Sequence, residues 1–494
     1  MISAARPDWI FPFTGLQPAR FRCLMIKIGG LSVSMSRRQF LSRSAGAGLA
    51  VAVVGSVDAL FTAAPALGVS GPEIGYGPLV PDPAGMLDLP VGFRYTVLSR
   101  EGTVRPDGGI VPSRFDGMGA FAGEARGTRL VRNHECSPTA KITVVAPPER
   151  TYDPAAGGGT STLAVDAANR AVAEHVSLGG TAINCSGGRT PWHTWLTCEE
   201  TEDKAGTRGY TKDHGFVFEV DPYDSARNTD PTPLTAMGRF QHEAVAVDPD
   251  TGIVYETEDA FVAPLGSFYR FLPNRPLGGH GSLRAGGVLQ ALHVPDLSDL
   301  SVVTEAGTSF SGVEWLDVPD PLATTESVRA QDYRKPITGG YKIEGAWWGE
   351  KDNCAYFVSS FARRELGSAR DHDGQVWRYD PRANTLRLET IFTRPTPAPE
   401  NPEFDSPDNI CMSPYGGLMM CEDGIGDQHI LGTTADGEVF VFARNRVNVG
   451  TDEDPEYGEL AGATFSADGR TMFFNVYNPG ITYAVTGPWN RRQG

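Results

Sequence analysis

The stretch "AVAVDPDTGIVYETED", residues 244–259, reads as two strands joined by a tight turn. The runs "AVAV" and "IVYETE" are short and rich in β-formers, and Asp248-Pro249 with Gly252 supplies the backbone angles of the turn between them. The theme returns in "VFEVDPYDSARN" (217–228), "VWRYDPRANTLRLET" (376–390), "NICMSPYGGLMMCED" (409–423) and "ATFSADGRTMFFNV" (463–476). Repeated antiparallel hairpins without intervening helical periodicity predict an all-β chain. Their spread from about Val91 onward favours a β-propeller of four-stranded blades around a central axis over a β-sandwich. The 58 Gly and 37 Pro among 494 residues fit many short strands and turns. Two stretches, 101–159 and 316–341, read as long irregular loops around the channel, of the kind that build sites or lids.

Export is the second expectation. "MSRRQFLSRSAGAGLAVAVVG" from Met35 carries a twin-arginine pattern at residues 36–41, then an apolar run to Val57. An A-x-A cleavage site follows at Ala64 and Ala66. The run is short and broken by Asp58, which argues against a membrane anchor. The chain is therefore read as an upstream extension (1–34), a twin-arginine signal peptide (35–66), a linker (67–90) and a propeller domain (91–490). The expected partner in export is the twin-arginine translocation machinery, and the destination is the periplasm or the medium. Residues 1–66 hold seven basic and two acidic side chains, which leaves 36 Lys and Arg against 58 Asp and Glu, a net charge of −22. Such a surface excludes nucleic acid and anionic membranes as partners and suits hard cations. The expected state is a monomer.

Six cysteines follow the signal: Cys136, Cys185, Cys198, Cys354, Cys411 and Cys421. Their even number is compatible with disulfides after export, but no C-x-x-C pair suggests a zinc ribbon or a thioredoxin-like redox site. In a propeller the inner strands converge on the axis, so acids distant in sequence meet there. Candidates recur along the chain: Asn133, His134 and Glu135; Glu199 and Glu200; His242 and Glu243; Glu256, Glu258 and Asp259; Lys342 and Glu344; Asp408, Glu422, Asp423 and Glu459. One such acid reads as a solvated strand end. Several beside apolar runs, as in Glu243 before "AVAV" or Glu344 before "GAWW", point to a shared polyvalent metal centre, because a buried carboxylate needs a cation or donors. Oxygen-rich ligation suits calcium or iron(III) better than zinc. There is no G-x-S-x-G elbow, Walker loop or complete EF-hand.

Taken together, "NHE", "NCSGGRTPWHTWLTCEE", "RFQHEA", "YETEDA", "IEGAWW", "SPDNI", "CEDG" and "AGATFSADGRTMFFNVYNPGITYAVTGPW" resemble the PhoX-type alkaline phosphatases, exported bacterial enzymes. The strings span residues 133–489. The resemblance implies a six-bladed propeller with a mixed iron–calcium centre in its channel that hydrolyses small phosphomonoesters. It places Cys185 as the thiolate ligand to iron(III), with Glu200 in the same centre and Glu243, Glu258 and Glu344 as further metal ligands. Asn133, Glu135, Asp408, Glu422 and Glu459 complete the candidate set, and Lys342 is the catalytic candidate facing phosphate. An oxygen nucleophile activated by the metals would make a protein nucleophile unnecessary, in keeping with the missing serine elbow.

Two positions depart from the family pattern. Lys342 of "KIEG" stands where an arginine is expected, and His193 of "TPWHTW" stands where glycine is common. A different hydrolase on a calcium propeller (a lactonase or phosphodiesterase) and a non-catalytic propeller with structural calcium are the alternatives. A thiolate is a poor calcium ligand, so Cys185 speaks for iron or a disulfide.

Overall fold

The computed structural model describes residues 74–491, apart from 261, 361–371, 393–404, 425 and 452, together with one short hairpin, Met25–Ile28 with Leu31–Ser34. The twin-arginine pattern and cleavage site lie outside the described residues. Residues from Gly71 to the C-terminus form a single compact unit. Its described residues hold six antiparallel sheets, a six-bladed propeller; each starts at the axis and its first three strands run outward in chain order, while earlier segments of the chain add the outer strands of the fourth, fifth and sixth.

The innermost strands are Phe115–Ala122, Asn184–Arg189, His242–Val247, Ile343–Gly349, Pro407–Met412 and Leu460–Phe465, one for each blade from first to sixth. Each packs on the next, and the sixth packs on the first. The ring closes through the N-terminal part of the chain. Arg94–Arg100 is the outermost strand of the sixth blade, paired with Ile481–Thr486. Leu87–Pro90 pairs with Arg444 and Asn445 at the outside of the fifth. The expected linker at 67–90 therefore holds propeller strands at its C-terminal end, and the domain starts earlier than Val91.

A second correction concerns residues 101–159. They contain the two inner strands of the first blade, Phe115–Ala122 and Thr128–His134, which the glycines of "FDGMGAFAG" hide from a period-two reading. Those glycines answer to close packing at the axis. A Cβ on Gly117 would stand 2.5 Å from Ser186 Cα, and one on Gly345 would stand 2.5 Å from the Asp408 carbonyl oxygen. Region 316–341 does hold a long loop. Arg239 fastens it through the carbonyls of Leu322 and Ala323, and Arg329 ties it to Glu202 and Glu258. The core is the apolar packing between blades, with Tyr255, Phe268, Trp377, Phe442 and Trp489 among its buried aromatics. All six cysteines are buried and free, so no disulfide joins the described residues.

Candidate metal centre

All six innermost strands share one irregularity. Near the start of the strand the register with its neighbour shifts: after the first pair between 115 and 118, 184 and 187, 242 and 245, 343 and 346, and 407 and 410, and after the second pair between 461 and 464. A bulge of this kind turns a side chain out of the regular alternation. In the first five blades the residues it turns are Asp116, Cys185, Glu243, Glu344 and Asp408; in the sixth, Ala461 stays paired with Asn475 and the bulge falls on Gly462. Close packing of the inner backbones goes with small residues at Gly117, Ser186, Ala244, Gly345 and Gly462.

A second equivalence sits at the mouth. In every blade the residue following the second strand donates its amide to the carbonyl just ahead of the inner strand. These bonds run from Glu135 to Arg114, Glu200 to Ile183, Asp259 to Gln241, Ser360 to Lys342, Asp423 to Ser406 and Tyr477 to Glu459, at 2.8–3.2 Å. Three sets of equivalent positions result: the bulge residues (the floor ring), the six amide donors (the middle ring) and the six carbonyl residues ahead of the inner strands (the rim ring).

The floor and middle rings bring together most of the expected ligands. Cys185 Sγ and one carboxylate oxygen each of Glu200 and Glu243 lie within 4.8 Å of one another, and so do oxygens of Glu243, Glu344 and Asp408. Glu243 belongs to both groups. It is fully buried, and neither carboxylate oxygen has a hydrogen-bond partner. Burial, with Asp408, Glu344 and Glu200 close by, drives its pKa well above the carboxylate range. Burial and the neighbouring acids act likewise on Asp116, Glu200, Glu344 and Glu459, and burial pushes Glu135 and Asp408 up to about 7. Burial and then Asp116, Glu243 and Glu200 raise the Cys185 thiol as well. Lys342 Nζ stands 2.6 Å from Glu344, 3.7 Å from Asp259 and 3.9 Å from Asp423; these acids outweigh burial and hold it protonated. One lysine cannot balance so many carboxylates. An unpartnered buried carboxylate flanked by a thiol and further acids is a donor set that fits a cation.

Three expected ligands are not brought into this group. Glu258 lies in the ladder opposite His242, so its side chain turns away from the axis. Its carboxylate accepts from Tyr269 Oη at 2.6 Å and pairs with Arg329 at 2.8 Å. Glu422, opposite Pro407, is occupied by the Asp405 amide and by the amide and ring of His429. Asn133 donates to the carbonyls of Cys185 and Ser186 and accepts from Trp195, so it shapes the cysteine's backbone. In place of the two glutamates the structure presents their successors, Asp259 and Asp423. Asp116 was also missed, because Asp-Gly reads locally as a turn. Glu199 shows the same phase: it is satisfied by His214 and by the amides of Ala182, Gly215 and Phe216, while Glu200 faces the pocket.

The departures separate in space. Lys342 is at the acidic centre. His193 is exposed on the turn after the second blade's inner strand, at φ 66°, in the left-handed region that favours glycine. It lines a cavity of about 430 Å³ with Arg189, Val247 and Trp347, at the opposite ends of the inner strands. Among the described residues no group of acids converges on that cavity, and in them the two ends of the channel differ in chemistry.

A six-bladed propeller with a cysteine and carboxylates gathered at one end of its axis defines the class. Within it, the family model described as "Alkaline phosphatase PhoX" matches residues 74–173 and 167–480, and the chain belongs to that family. Among solved structures it is similar to Pseudomonas fluorescens PhoX in complex with vanadate, a transition state analogue, at 17% identity and TM-score 0.58, covering 84% of this chain and 98% of that one. It also matches a gluconolactonase of Xanthomonas campestris, XC5397, at 12% identity and TM-score 0.39, over 84% of this chain and 98% of that one. The PQQ domain of pyranose dehydrogenase from Coprinopsis cinerea matches at 11% and 0.43, over 82% and 98%. A comparison with curated proteins found no match.

Proposed function

We propose that the chain is an exported metal-dependent phosphatase that hydrolyses phosphomonoesters in the acidic pocket at the propeller axis. The observation that carries the metal requirement is Glu243, buried with both carboxylate oxygens unpartnered where two groups of donors overlap. Cys185, Glu200 and Glu243 would hold iron, the thiol being the donor that separates this site from a calcium site. Glu243, Glu344 and Asp408, with Asp116, Asp259 and Asp423 near them, would hold calcium through oxygen alone. When bound, such metals neutralise a phosphate dianion and activate an oxygen nucleophile.

The protein's own part is positioning. The bulges set the side chains of Asp116, Cys185, Glu243, Glu344 and Asp408, and Gly117 and Gly345 let the inner strands that carry them pack closely. Lys342, held charged by Glu344 and Asp259, stands where it can meet the phosphoryl oxygens. Export before action follows from the twin-arginine pattern at residues 36–41, and that route carries proteins already folded around their metals.

The test is phosphate release from a panel of phosphomonoesters by protein purified after native export, before chelation, after it, and after returning iron and calcium. Activity lost with the metals and restored by them is the expected result. Metal-replete protein inert on the whole panel would overturn the proposal.

A further inference from the structure

We propose that Arg114 is a second phosphate-binding residue, which grips the phosphoryl group from the wall opposite Lys342. The inference rests on the phosphatase reading above. Its basis is the rim ring. Arg114 and Lys342 occupy the same place in their blades, each accepting one amide from the end of the second strand and each preceding an inner strand. They belong to the first and fourth of six blades, which places them across the axis from each other. Four of the six rim residues adopt left-handed backbone angles: Arg114 (φ 56°), Ile183 (50°), Lys342 (49°) and Ser406 (41°). In a non-glycine residue such angles are held at some cost by their surroundings and gather at functional sites. The other rim residues are Ile183, Gln241, Ser406 and Glu459, so these two are the ring's only cations.

The two cations are engaged differently. Lys342 is drawn down onto Glu344 at 2.6 Å. The Arg114 guanidinium is partly exposed and lies 4.8 Å over the face of Tyr477, which fixes its plane. Among the described residues its side chain has no hydrogen bond or ion pair. Tyr477 in turn bonds Glu135, which ties the stacked pair to the acids of the centre. A planar guanidinium with its donors open, at the rim of an acidic pocket, can fork two N–H groups onto a phosphoryl oxygen pair, whereas lysine presents a point charge. Arg114 thus supplies the bidentate donor that Lys342 cannot.

Inorganic phosphate, as a competitive inhibitor of the metal-loaded exported protein, is the probe. Arg114→Leu and Arg114→Gln are compared with wild type for phosphate inhibition constant, KM and kcat, with metal content and melting temperature measured alongside. Charge-assisted hydrogen bonds of this kind set the expected rise in the inhibition constant and KM at roughly 10- to 100-fold. Metal content stays unchanged, and Arg114→Lys recovers part of the loss. Wild-type hydrolysis with an unchanged inhibition constant in either metal-replete variant would overturn the role of Arg114 and leave the phosphatase reading standing. Metal-loaded wild type that neither hydrolyses monoesters nor binds phosphate would overturn both.

Discussion

At Glu243 a buried carboxylate with two unpartnered oxygens is a liability that only a cation removes. The same side chain therefore has opposite effects in two states of the protein. Glu243→Gln removes from the metal-free fold a carboxyl that must either hold a proton or repel its neighbours, and from the loaded one a ligand. Metal-free Glu243→Gln is expected to be more stable than metal-free wild type at pH 8, where the carboxyl is under most pressure to ionise among its neighbours. Its iron content after export should fall below that of wild type. Urea unfolding of both chelated proteins, with elemental analysis before chelation, checks the two signs. Equal stability and equal iron would show that Glu243 meets no metal. Cys185 belongs to the same scale. Its place beside acids was legible in "NCSGGRTPWHTWLTCEE", but the sequence alone left iron and a disulfide open, and the structure leaves the cysteine free.

At the level of the strand, the hairpins and the all-β class were legible because turn residues and short β-rich runs are local signals. The phase at the strand end was not. Which of two adjacent acids faces the axis depends on a bulge three residues into the partner strand, and no local composition marks it. Glu258 and Glu422 were chosen for the pocket, yet both stand in the ladder and their successors turn inward. Asp116 was lost for a related reason, since its glycine neighbour imitates a turn while meeting the packing demand at the axis. The phase has a direct consequence. Asp259→Asn is expected to weaken metal retention and lower phosphate release ~10-fold or more, the scale reported for disturbed metal environments. Glu258→Gln should instead keep its metals and lose stability, about 3 kcal/mol for breaking a buried pair with Arg329. Thermal unfolding and metal analysis of the two variants separate them. The reverse pattern would mean that the ladder glutamate, and not its successor, serves the centre.

Over the whole molecule, closure of the ring by Arg94–Arg100 holds six blades in register, so the acids are forced together whether or not a metal is present. Repulsion at the axis is thus built into the fold. In the metal-free protein burial raises Glu135 and Asp408 to about 7, above their values in the unfolded chain. The folded state then binds more protons than the unfolded state between about pH 4 and 7, so stability falls as pH rises through that window. A chelated sample is expected to melt at a higher temperature at pH 5.5 than at pH 8. Metal-loaded protein should show the opposite trend, because its ligands must be deprotonated. A chelated protein equally stable at both pH values would mean that the acids are not crowded as described.

The most direct measurement of the central claim is the iron content per chain of exported wild type and Cys185→Ser, with phosphate release read on the same samples. The account predicts iron and phosphomonoesterase activity in wild type, and loss of both in Cys185→Ser while the fold persists. Full iron in the serine variant, or an iron-free wild type that still releases phosphate, would contradict it.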